Sequence, residues 1–130
     1  MRYNPLVEPD YEGWLGADEM ERIRAVRAYH KRAGVKIPSL QAHAAIHVTV
    51  ENQIALGDET PVAETVERLM AEGLDRHDAL HAVGSVLAGH IWHMMKDPGP
   101  QPLDPNEAYY QELRDLTVQK WYDQYGEPDD

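Results

Sequence analysis

The chain has 130 residues with Lys+Arg 12, Asp+Glu 23 and a formal net charge of −11, the size of one domain or one domain with a tail. Hydrophobic residues at 42% and charged residues at 27% exclude wholesale disorder, and the acidic balance excludes nucleic-acid phosphates and anionic membrane surfaces as partners, since both repel it at long range. Cys 0 excludes disulfides, thiol nucleophiles, iron–sulfur clusters and cysteine-based zinc sites, so any metal must be held by nitrogen and oxygen, for which His 7 is conspicuous. No apolar run approaches the ~20 residues that span a bilayer. The opening MRYNPLVEPDYEGW has no basic-then-apolar signal pattern, which makes cytoplasm the expected location.

In chain order, residues 1–16 carry two Pro, two Gly and three aromatics without periodicity. They read as an irregular arm whose Tyr3, Tyr11 and Trp14 pack against the body. Asp18 followed by Glu21 is a capping box, and a helix then runs to Gly34 with a thin apolar stripe of Ile23, Val26 and Ala33 that places it at an edge. After Pro38, Ser39 caps a second helix ending at Gly57, in which Leu40, Ile46, Val50 and Ile54 keep helical spacing. Thr60-Pro61 opens a third helix up to Gly73, and Asp75 opens a fourth that reaches about Lys96.

The proline-rich 97–105 segment is a stiff linker, 106–126 a last helix and 127–130 an acidic tail. The expected fold is all-α: an antiparallel bundle of about four helices over 17–96 plus an extra C-terminal helix. That helix is rich in aromatics (Tyr109, Tyr110, Trp121, Tyr122, Tyr125), which suit packing on the bundle or a homodimer contact.

The chemistry lies in two His-x-x-x-His pairs. On a wheel at about 100° per residue, His47 falls roughly 40° and Glu51 roughly 80° from His43, among Leu40, Ile46, Val50 and Ile54. In the fourth helix His81 falls about 40° from His77, with Leu80, Gly84, Leu87 and Ile91 on the same side. Both pairs therefore face inward, where neighbouring turns bring the rings close enough to share an ion. Buried imidazoles need partners that a core of Leu, Ile, Val and Ala does not offer. The expected ligands are His43, His47, His77, His81 and Glu51, with Asp78 capping the fourth helix or orienting a ligand ring. The alternative is four structural histidines bonded to one another, to Glu51 and Asp78, and to buried water, in an interaction protein without metal.

The other histidines read differently. His30 sits among Lys31 and Arg32 at a helix C-terminus, where a surface cap suits it, and His90 and His93 fall on a solvated face. Trp92, Met94 and Met95 read as core packing. The string HDALH has the spacing of the zinc-protease motif His-Glu-x-x-His, but Asp78 is one methylene shorter than Glu. The third ligand position of the extended motif is Leu87, and no strand is present to hold an extended peptide.

Residues 43–92 resemble an uncharacterised bacterial family, domain-of-unknown-function family number eighteen forty-one. The likeness rests on His43-Ala-Ala-Ile-His47 with Glu51, Asn52 and Gln53, on the Thr60-Pro61 helix, and on GLDRHDALHAVGSV from Gly73 to Val86. It implies that His43, His47, His77 and His81 are motif positions. Relatives often carry Glu where this chain has Asp78, and the family supplies no activity. Neutral imidazoles suit Zn, Fe or Ni, with Cu(II) also compatible, better than Mg or Ca. With few carboxylates to bridge two ions, one transition-metal ion is the economical expectation. Two functional classes follow: a metal-binding module with every position filled by protein, and a small metalloenzyme, hydrolytic or oxidative, with an open position.

Overall fold

Capping chemistry and inward-facing stripes produce an all-α fold. In the computed structural model, which describes residues 1–34, 39–97, 99–100, 104 and 106–126, there are seven α-helices and no strand among these residues. They are α1 (Tyr11–Gly16), α2 (Glu19–Arg32), α3 (Leu40–Ala55), α4 (Val62–Ala71), α5 (Arg76–Lys96), α6 (Glu107–Asp115) and α7 (Val118–Tyr125). Asp18 accepts from the Glu21 amide to start α2, and Asp75 accepts from the Asp78 amide to start α5, so each satisfies an orphan donor of its first turn. Gly34 stops α2 at φ 72°, a conformation in which only glycine avoids a Cβ clash.

Two departures from the sequence reading concern the ends of the chain. The arm contains the one-and-a-half-turn helix α1, because Trp14 is buried and its indole N–H donates to Asn52 at 2.9 Å. The C-terminal segment is two helices rather than one. Leu116 turns extended and buried, and Thr117 caps α7 by accepting from the Lys120 amide. The carbonyls freed at this break are taken by Arg68 of α4, which donates to Leu113 O at 2.9 Å and also to Leu116 O. Most of the proline-rich linker and the acidic tail lie outside the described residues.

Helix α3 packs on α1, α2, α4 and α5, and α6 packs on α4 and α5. Its faces explain how. Ala44 and Val48 join Tyr3, Trp14, Ile23 and Val26 in one apolar cluster, while Val50 and Ile54 join Leu69, Leu80, Val83, Leu113 and Trp121 in another. His47 and Glu51 occupy the angular gap between these two stripes, and His43 lies beside it on the Val50 and Ile54 side. A polar seam is thereby held inside the fold by apolar packing on both sides.

A close approach between α3 and α5 sets the seam's width. A Cβ added to Gly84 would lie 2.9 Å from Ile46 Cγ2, so only glycine lets the helices come this near. Trp92, Met94 and Met95, expected in the core, are exposed, Trp92 at 55% and Met95 at 79%. The reason is length. The 21 residues of α5 span about 32 Å, roughly twice the ten-residue α4, and its last turns outrun that partner. Among the described residues no helix is long and apolar enough to cross a membrane.

Candidate metal centre

Five imidazoles from three helices converge on the seam. His43 and His47 come from α3, and His77 and His81 from α5, one turn apart in each case. The fifth is His30 from α2, which is 1% exposed and not the surface cap its basic neighbours suggested. It follows Ile23 by seven residues and Val26 by four, and so shares their buried face. That periodicity was the available signal, masked by Lys31 and Arg32 alongside. Nitrogen atoms of His30, His47, His77 and His81 all lie within 4.8 Å of one another. His43 joins this group through His30, with 3.1 Å between their Nε2 atoms, and its ring lies 4.8 Å from that of His47.

The partners fix which nitrogens carry lone pairs. His30 Nδ1 lies 2.8 Å from the carbonyl of Val26, so it must be the N–H, and the neutral ring presents a bare Nε2. Tyr3 donates its hydroxyl hydrogen to Glu51 Oε2 at 2.6 Å, which leaves the Tyr3 oxygen to accept from His47 Nδ1 at 3.3 Å. His47 Nε2 is then also bare, and it faces His81 Nε2 at 3.1 Å. The buried Nε2 of His77 has no hydrogen-bond partner. An unpartnered buried nitrogen is costly in a metal-free protein and is satisfied by coordination.

Protonation is suppressed at His43, His47, His77 and His81. Burial and then the neighbouring His30 and His77 lower His43 to about 4, and burial with His77, His43 and His30 lowers His81 to about 3. Burial followed by the charges of the other rings holds His47 well below its ordinary value, and burial then His30 lowers His77. Neutral imidazole is the form that binds metal. Donors in a tetrahedral shell with bonds of about 2.0–2.1 Å stand roughly 3.4 Å apart, so the 4.8 Å spread closes by side-chain rotations of about an ångström or more. The residues present fit a transition-metal ion.

Glu51, expected as a ligand, has different work. It is fully buried, and Arg76 donates to both of its oxygens, at 2.8 Å to Oε1 and 2.9 Å to Oε2. Tyr3 and Tyr11 also donate to it. Both hydroxyls are held as O–H, raised first by burial and then by the Glu51 charge. Glu51 therefore reaches the cluster through the Tyr3 hydroxyl and His47, an arrangement that orients the ring and strengthens its donor nitrogen. Arg76 ties the arm in as well, by donating to Pro5 O at 2.9 Å. Neither Tyr3 nor Arg76 carries a local sequence signal for this role, because their contacts span 25 to 71 residues of chain.

Asp78, expected to cap α5 or orient a ring, is half-buried in its first turn and does not join the metal-capable group. Asp75 supplies the cap instead. His90 is half-buried against Glu112 at 3.4 Å, and His93 is exposed. On its outer side the cluster opens onto a pocket of about 370 Å³, bordered by His43, His47 and His81 and by residues of α5 and α7.

A family model described as a domain of unknown function, DUF1841, matches residues 6–115, and the chain belongs to that family. All five clustered histidines, Glu51 and Arg76 fall inside the matched range, whereas Tyr3 and α7 fall outside it. No curated protein and no solved structure gives a significant match.

Proposed function

We propose that this protein binds one transition-metal ion through His30, His47, His77 and His81, with His43 as the adjoining fifth donor. The observation that carries the reading is the convergence of four imidazoles whose ligand atoms lie within 4.8 Å, one of the rings, His77, having a buried Nε2 without a partner. An all-imidazole set favours Zn, Fe, Ni or Cu(II) over Mg or Ca, which prefer oxygen. Because every ligand is neutral, the ion's charge is not cancelled within its own shell. Glu51, the buried carboxylate linked to His47 through Tyr3, is already neutralised by Arg76.

The test is metal content per chain by mass spectrometry, on protein purified without a histidine tag and then supplied with zinc, ferrous iron or nickel. About one tightly held ion is expected in the wild type. Less than roughly a tenth of that is expected in a His47→Ala, His81→Ala double variant, since each lost ligand typically costs well over tenfold in affinity. Equal occupancy in the double variant, or no uptake by the wild type, overturns the proposal.

A second reading extends the first, to a small metalloenzyme of hydrolytic or oxidative type. The pocket bordering His43, His47 and His81 favours it over a closed storage site, since a purely structural centre has no need of an opening. A bound ion would supply a Lewis-acid centre at the inner end of that pocket. His47, oriented by Tyr3 and Glu51, would hold its ring in place while exchangeable ligands come and go.

A further inference from the structure

The pocket beside the cluster has a definite chemical character. Ile46, Leu80, Gly84 and Ala88 form its apolar floor and side, and Trp121 and Tyr125 of α7 form the opposite wall. The polar atoms of that wall are already engaged. Trp121 Nε1 donates to Ser85 Oγ at 3.4 Å, the Tyr125 hydroxyl donates to Ser85 O at 3.3 Å, and Ser85 Oγ donates to His81 O at 2.8 Å. What α7 offers the pocket is therefore ring surface rather than hydrogen-bonding groups. Among the described residues, no Asp, Glu, Lys or Arg lines the pocket. The polar groups left at the inner end are the three imidazoles. A volume of about 370 Å³ is near the lower end of the roughly 300–1,000 Å³ found for small-molecule sites.

We propose that this pocket binds a small, neutral, ring-containing molecule, which lays its apolar body against Trp121 and Ile46 and directs one nitrogen or oxygen donor toward His43, His47 and His81. The donor end rests on the metal reading above; the apolar body does not. A charged body finds no counter-charge on these walls and would lose its hydration without compensation. One or two rings suit a space of this size. The small, exposed Ala88 leaves room on the α5 side, and α7 closes the other.

The experiment compares 4-phenylimidazole with imidazole by calorimetry on the full chain, both zinc-loaded and metal-free. Burial of the phenyl ring predicts binding at least about tenfold tighter for 4-phenylimidazole in the zinc-loaded protein, and a weaker but saturable binding in the metal-free one. Ala88→Trp fills the mouth and is expected to remove the advantage of the phenyl ring while leaving zinc content and melting temperature unchanged. Should that variant perturb folding, Tyr125→Ala removes wall surface instead and is expected to reduce the advantage several-fold. Equal affinity for the two probes, or an advantage that survives both substitutions, overturns the pocket assignment. Ring-dependent binding in a protein that takes up no metal supports the pocket and overturns the metal reading alone.

Discussion

Glu51 is fully buried and surrounded by four donated hydrogen bonds, two from Arg76 and one each from Tyr3 and Tyr11. A carboxylate taken out of water is tolerated there because Arg76 matches it in a bidentate pair and the tyrosines fill its remaining lone pairs. Glu51→Gln leaves Arg76 buried without a counter-charge and is expected to destabilise the protein by ~3 kcal/mol in urea unfolding. Tyr3→Phe separates stability from metal chemistry. The ring still packs on Trp14, but His47 Nδ1 loses its acceptor, and a competition titration with a chelator is expected to show metal affinity lowered by about 10–100-fold. Unchanged affinity in Tyr3→Phe would remove the positioning role of Tyr3 and Glu51. At this scale His43, His47, His77 and His81 were legible because a turn of helix aligns each pair on an apolar stripe. His30 was obscured by two neighbouring cations, and the Tyr3–Glu51–Arg76 chain by sequence separations that no local pattern records.

Between elements, the approach of α3 to α5 at Gly84 brings His47 and His81 within 3.1 Å of each other. Gly84→Ala puts a methyl against Ile46 and is expected to lower stability by roughly 1–3 kcal/mol, with lower metal affinity because the helices are pushed apart. In an Ile46→Ala background the same change is expected to be neutral or to stabilise by up to about 1 kcal/mol, since alanine is the better helix former once the clash is gone. A thermodynamic cycle of the four proteins measures this coupling, and additive effects would refute it. The helices over 19–32, 40–55, 62–71 and 76–96 were readable from caps and periodicity. The break at Leu116 was not, because Asp-Leu-Thr continues a helical pattern and the exposed carbonyls are satisfied by side chains that no local pattern marks, Arg68 from another helix and Lys120 from α7. The exposed end of α5 escaped for a related reason: apolar residues at helical spacing do not reveal where the partner helix stops.

For the molecule as a whole, four clustered imidazoles kept neutral couple stability to pH. In the unfolded chain these rings titrate near 6.5, whereas in the folded protein His43 and His81 titrate at about 4 and about 3, and His47 and His77 are also lowered. Below about pH 6.5 the unfolded state therefore binds more protons than the folded state. Their contribution to stability is intact above that value and is lost as pH falls toward 4 and then 3. Each such ring contributes a slope of up to about 1.4 kcal/mol per pH unit. Melting of the chelator-treated protein is expected to fall steeply between pH 6.5 and 4, and more steeply still when metal is bound, because protons then compete with the ion. A flat profile across that window would mean that the rings are already protonated in the fold. The central claim is tested most directly by X-ray absorption at the edge of the bound metal in the zinc-loaded wild type. The account predicts a shell of four or five imidazole nitrogens at about 2.0–2.1 Å, which loses one imidazole in His47→Ala. A shell dominated by oxygen, with fewer than three imidazoles, would contradict it.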